Sequence, residues 1–228
     1  MQKGITTLFI LIYMLSNSNF NAQDWANLKK YQAENSNLKP LKNNEKRVVF
    51  MGNSITEFWS TYSNFFEANI NYINRGISGQ TTPQMLIRFR QDVIDLKPIV
   101  VIILAGINDI AQNTGPSSIK MIENNIFSMA ELAKINNIQV ILCSVLPAKK
   151  FPWAPTIEPS PIVMELNQRI KNYAEQNEIT YVNYFDAMKN SSNGMKKELA
   201  DDGIHPNSKG YQIMEEILKK EIITLSKR

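Results

Sequence analysis

At 228 residues, with 43% apolar and 20% charged side chains, the chain suits one compact domain and is far from the hydrophobe-poor composition of disordered proteins. Its net charge of +4 and pI near 9.0 come from scattered pairs, Lys29-Lys30, Lys149-Lys150 and Lys219-Lys220. With no concentrated basic stripe and no recognised module, a nucleic-acid partner is not expected.

The chain opens with Lys3, an apolar run over 5–15, a polar stretch over 16–21 and the small residue Ala22. That order matches an export signal cleaved after Ala22. The apolar run is too short to span a bilayer, which needs roughly 18 to 20 apolar residues. No cysteine follows it, so a lipid anchor on a cysteine at the new N-terminus is not expected either. The expected division is a signal peptide over 1–22 and one domain over 23–228. The mature protein is then periplasmic or extracellular, without a stable membrane span.

Further along, five short apolar runs rich in β-branched and aromatic residues occur at 47–51, 70–77, 99–106, 138–145 and 179–185, and they read as strands. Between and after them, segments with helical spacing cover 55–68, 83–96, 117–136, 162–176 and 208–225. The alternation predicts an α/β fold, a five-stranded parallel sheet with helices on both faces, because parallel neighbours need crossovers. The run 99–104 does not alternate in polarity, so that strand should be central. Pro83 stands at a helix start and Pro98 closes the helix before a strand. Cys143, the single cysteine, lies in the fourth run, which excludes an internal disulfide and points to a buried, inert thiol. The stretch 147–161 holds five of the ten prolines together with Phe151 and Trp153, and reads as a long stiffened loop.

In open α/β sheets ligands gather at the carboxyl ends of the strands, so the residues following each strand carry the functional information. After the first come Gly52-Asn53-Ser54-Ile55-Thr56, a serine on a tight strand-to-helix turn; the bland alternative is that Ser54 only caps the helix. After the second, Gly76 and Gly79 flank a turn and permit close approach of the backbone to a ligand. After the third come Gly106-Ile107-Asn108-Asp109, where Asn108 either donates a hydrogen bond at the sheet edge or caps the next helix. No dinucleotide or phosphate-loop fingerprint is present. Before the last helix stand Asp201-Asp202-Gly203-Ile204-His205-Pro206, with the only histidine of the chain. An aspartate three residues before a histidine in a turn can fix its tautomer, leaving the other ring nitrogen for a nucleophile.

Together, in this order, the four fragments resemble the four blocks of the SGNH (GDSL-type) hydrolases, whose serine, glycine, asparagine and histidine match Ser54, Gly79, Asn108 and His205. The resemblance runs from about Arg47 to the final helix. It implies a flavodoxin-like three-layer sheet and a serine esterase in which Ser54, Asp202 and His205 form the triad. The aspartate is taken as Asp202 because the family spacing is Asp-x-x-His-Pro. The oxyanion donors would be the backbone N–H groups of Ser54 and Gly79 and the side-chain amide of Asn108. One departure is Asn53, where the family most often has aspartate; its hydrogen-bonding capacity is largely kept.

The resemblance further implies two-step acyl transfer through an acyl-serine, with no metal and no cofactor. Export and a small domain without a long apolar lid favour acetyl esters of carbohydrates. A lysophospholipase or thioesterase is the rival within the family, and a non-catalytic carbohydrate-binding module the rival outside it. Phe151 and Trp153 are expected to line the substrate site, the alternative being that both pin their loop to the core.

Overall fold

The computed structural model describes residues 24–42 and 45–225; the export signal read over 1–22 lies outside the described residues. The five apolar runs form β1 (Val48–Gly52), β2 (Tyr72–Gly76), β3 (Val100–Leu104), β4 (Gln139–Cys143) and β5 (Thr180–Val182). All pairs are parallel, in the order β2-β1-β3-β4-β5, and Phe50 stands opposite both Asn74 and Ile102. Every residue of β3 is buried, as expected of a central strand covered on both faces.

The helices are α1 (Gln32–Asn37), α2 (Ser54–Glu57), α3 (Trp59–Tyr62), α4 (Thr82–Asp92), α5 (Ile107–Ile110), α6 (Ile119–Ile135), α7 (Pro159–Gln176), α8 (Tyr184–Met188) and α9 (Ser208–Leu225). α4 packs on α6 and α6 on α7, while α9 packs on α3, α8 and β5, giving the three-layer arrangement. Within one layer the rings of Phe127 and Tyr173 stack with centroids 3.8 Å apart. Cys143 is buried in the core, and burial pushes its thiol pKa up to about 12, which makes it inert.

The strand order places the functional edge. From β1 the chain moves outward to β2 and then returns to β3 on the other side of β1. The carboxyl ends of β1 and β3 therefore flank the point where connection direction reverses, which opens a crevice in such sheets. Ser54 follows β1 and Asn108 follows β3.

Several elements depart from the sequence reading. The helix expected over 55–68 is two short helices followed by turns. Ser63 Oγ accepts from the Phe65 amide at 3.1 Å, a local bond that competes with helical continuation. Phe50, Trp59 and Phe65 meet there, with Trp59 and Phe65 stacked at 5.4 Å. The helix expected over 83–96 ends at Asp92 and tightens into a 3₁₀ turn, Ile94–Leu96, closed by Lys97 in the left-handed region. The loop read over 147–161 ends at Glu158, because Pro159 and Pro161 belong to the first turn of α7, where a missing N–H costs little. The fifth strand stops at Val182, and Asn183 caps α8 by accepting from the Asp186 amide. α1, α5 and α8 were not read from the sequence; each spans six residues or fewer.

Candidate active site

Ser54 stands in the first turn of α2, at the end of β1. The capping role falls on Asn53, whose side chain accepts from the Ile55 amide at 3.0 Å. Asparagine thus serves here as a cap, and the Ser54 hydroxyl is engaged elsewhere: its Oγ lies 2.9 Å from His205 Nε2. The opposite ring nitrogen, Nδ1, lies 2.6 Å from Asp202 Oδ2. Asp202 Oδ1 accepts from the backbone amides of Ile204 and His205, both at 2.8 Å, so carboxylate, turn and imidazole form one locally closed unit. Desolvation raises the Asp202 pKa, but the bonds from the His205 ring and the two amides outweigh it and hold the carboxyl below its ordinary range. The Phe58 ring packs on the imidazole, with centroids 5.4 Å apart.

The turn after β2 uses its two glycines differently. A Cβ at Gly76 would lie 2.1 Å from the Glu57 amide nitrogen, so this glycine admits the backbone of α2, not a ligand as its sequence position suggested. Gly79 has φ +78°, a conformation that L side chains rarely adopt, and the space its Cβ would occupy is open.

Asn108 lies inside α5, whose cap is Gly106, so it does not cap that helix. Its side-chain amide donates to the Gln80 carbonyl at 3.0 Å, which joins the end of β3 to the Gly79 turn. Next to it, Asp109 is buried and accepts from the Thr82 amide at 3.0 Å and the Thr82 hydroxyl at 2.6 Å. Burial pushes its pKa up to about 6 despite these bonds.

The two loop aromatics separate. Phe151 is fully buried, so its expected contact with substrate is corrected: it supports Trp153 from beneath, the rings stacked at 5.4 Å. Trp153 is 50% exposed. Its Nε1 donates to Asn113 Oδ1 at 3.2 Å, and Asn113 Nδ2 donates to the Gly79 carbonyl at 3.3 Å, so the indole is tied to the Gly79 turn through one side chain.

Sequence reasoning missed Asn113, Phe58 and Glu57. Glu57 lies three residues after Ser54 and looks like the last member of a capping box. Its carboxylate instead accepts from the Ser78 amide at 2.7 Å. Among the described residues no cluster of three or more histidine, cysteine, aspartate or glutamate side chains is arranged to hold a metal ion.

Chemically, the arrangement offers a hydroxyl beside an imidazole that a carboxylate orients, with the Asn108 amide on the neighbouring strand end. Residues 50–213 match the GDSL-like Lipase/Acylhydrolase family. The structure of a candidate acylhydrolase from Bacteroides fragilis is 47% identical, with TM-score 0.86 over 89% of this chain and 99% of that one. A GDSL-like lipase from Bacteroides thetaiotaomicron is 49% identical, with TM-score 0.85 over 87% and 98%. An uncharacterised lipoprotein of Bacillus subtilis is 34% identical over 82 residues, a stretch spanning only 35% of this chain and 34% of that protein. With the family match running from β1 into α9 and two solved relatives aligned along nearly their whole length, the chain belongs to the GDSL-like lipase/acylhydrolase family of carboxylic ester hydrolases.

Proposed function

We propose that this protein is a serine esterase acting on acyl esters of modest size, acetyl esters of carbohydrates foremost. The observation that carries the reading is the unbroken series Ser54 Oγ, His205 Nε2, His205 Nδ1 and Asp202 Oδ2, with contacts of 2.9 and 2.6 Å. His205 takes the Ser54 proton as Oγ attacks the ester carbonyl, and Asp202 stabilises the imidazolium that results. The tetrahedral oxyanion is met by the backbone N–H groups of Ser54 and Gly79 and by the free N–H of the Asn108 amide. Collapse expels the alcohol, which takes the proton from His205, and leaves an acyl-serine. Water, deprotonated by the same imidazole, then releases the acid and restores Ser54.

The preference for a carbohydrate ester rests on the exposed half of the Trp153 indole beside the Gly79 turn, since such a face suits packing on a sugar ring. The signal-like 1–22 supports an exported protein meeting such substrates outside the cytoplasm. No described helix is long and apolar enough to cross a membrane.

The test compares nitrophenol release from acetyl and long-chain esters by wild type, Ser54→Ala, His205→Ala and the double variant. Acetyl ester should be preferred, a serine-reactive phosphonate should abolish activity, and each single variant should lose nearly all turnover. The double variant should be hardly worse than either, because triad members act as a unit. Substantial turnover by folded Ser54→Ala would refute the assignment.

A further inference from the structure

Gly79 cannot hold its own turn. It has no side chain, and the space before it is open. The proposed donor N–H is nevertheless useful only if it keeps a fixed place relative to Ser54, since oxyanion stabilisation depends on donors already aimed where charge develops. The Gly79 carbonyl accepts from Asn113 Nδ2, and the remaining restraint comes from its neighbours, one gripped from α2, the helix that carries Ser54, and the other by an arginine of α4 that also binds the strand leading into Ser54.

On one side is Ser78. Its amide donates to Glu57 Oε2 at 2.7 Å and its hydroxyl donates to the same oxygen. Glu57 is the last residue of α2, the helix that begins with Ser54, and its other carboxylate oxygen pairs with Lys30. On the other side is Gln80, buried, whose Oε1 accepts from Arg88 Nε at 2.6 Å and whose Nε2 donates to the Ala26 carbonyl at 2.6 Å. Arg88 is itself fully buried. Its guanidinium also donates to the Gly52 carbonyl at 3.0 Å and the Arg75 carbonyl at 2.9 Å, and its charge is paired with Asp92 at 3.0 Å. One planar group therefore spans the end of β1, two residues before Ser54, the end of β2, and the residue after Gly79. The rigid fork of arginine suits it to fixing such spacings, as a lysine ammonium would not.

We propose that Glu57 and Arg88 are positioning residues that set the Gly79 N–H against Ser54 Oγ, one gripping the turn at Ser78 and the other at Gln80. Neither touches the reacting atoms. Both act through the turn, so their contribution is made in the transition state, where the oxyanion exists, and not in ground-state binding. The proposal rests on the serine-esterase reading above.

Glu57→Ala and Glu57→Gln carry the test, because Glu57 is partly exposed and its removal leaves no buried charge unpaired; Arg88→Lys is the second probe. Folding is checked by thermal melting, and the competent fraction by phosphonate titration of Ser54. For Glu57→Ala, kcat on nitrophenyl acetate should fall about 10- to 100-fold, short of the roughly hundred- to thousand-fold that follows loss of an oxyanion donor itself. KM and the midpoint of the pH profile should stay put. Affinity for a boronic acid that forms a tetrahedral adduct with Ser54 should weaken by the same factor as kcat/KM. Glu57→Gln, which keeps an acceptor for the Ser78 N–H, should recover most of the loss. Arg88→Lys, if folded, should repeat the pattern of Glu57→Ala. Folded Glu57→Ala with wild-type kcat and boronate affinity would overturn the proposal while leaving the esterase reading intact, as would a loss accounted for entirely by a lower titrated fraction. A wild-type protein that neither hydrolyses esters nor reacts with phosphonate would instead overturn the esterase reading, and this proposal with it.

Discussion

The side-chain amide of Asn108 donates to the Gln80 carbonyl, so the loop after β3 is fixed to the turn that carries Gly79. That bond uses one of two N–H groups and leaves the other for an oxyanion. Asn108→Ala should lower kcat about 100- to 1000-fold with KM little altered in ester-hydrolysis kinetics. Asn108→Asp should be no better, because a carboxylate offers no donor and its charge opposes the Gln80 carbonyl. Near-normal kcat in either variant would remove Asn108 from the oxyanion site.

Asp202 and Asp201 are neighbours with different surroundings. Both are exposed, but Asp202 accepts from the His205 ring and two backbone amides, and none of these groups turns to Asp201. Asp202→Asn should cut turnover by about a thousand-fold or more, by losing the charge that supports the imidazolium. Asp201→Asn should leave it unchanged. The folded-state pKa of Asp202 is depressed, so its stabilising contribution is present above the ordinary carboxylate pKa and is lost as pH falls through the lower folded value. Melting curves of wild type and Asp202→Asn should accordingly differ at neutral pH and converge in acid. Equal activity losses in the two variants would show that the wrong aspartate has been assigned.

Asp109 has the opposite sign. Its pKa, raised from 3.8 to about 6, means that the folded state holds a proton which the unfolded chain has released. Stability from this group is therefore greatest in acid and falls as pH rises from about 4 to about 6, by on the order of 3 kcal/mol. Asp109→Asn keeps a carbonyl for Thr82 but cannot ionise. Its stability relative to wild type should improve across that interval when unfolding is followed with denaturant. A constant difference would show that Asp109 does not titrate there.

Trp153 and Phe151 should respond differently to truncation. Trp153→Ala removes a half-exposed indole and should alter the ratio of activities on acetyl and longer esters with little change in melting temperature. Phe151→Ala empties a fully buried position and should cost about 3 to 5 kcal/mol of stability. A parallel loss on every ester in Trp153→Ala, together with a lower melting temperature, would make the indole an anchor of its loop.

What the sequence disclosed follows the reach of each signal. β3 announced itself because a short, β-branched apolar run without alternation suits a strand covered on both faces, and Ser54 and Asn108 lie just past strands while His205 lies just before the last helix. The end of α3 at Tyr62 was hidden because it goes with the Ser63 turn and with Trp59 and Phe65 packing on Phe50, contacts that local spacing does not encode. Phe151 and Trp153 are two residues apart and chemically alike; only burial separates them. The supports of the Gly79 turn were the least legible, since Arg88 joins carbonyls from two strands and Glu57 mimics a capping box.

The turn holding Asp202 and His205 is bonded to itself and stands far from the nucleophile along the chain, His205 following Ser54 by 151 positions. At ribosomal rates of about 5 to 20 residues per second, the serine is synthesised on the order of ten seconds before its base. The half of the site built by β1, β2, β3 and α4 can collapse in that interval, yet it carries a hydroxyl with no imidazole to take its proton. On the proposed serine-esterase reading, the chain stays without hydrolytic activity until the C-terminal turn is made, and the first turnover follows the docking of His205 on Ser54.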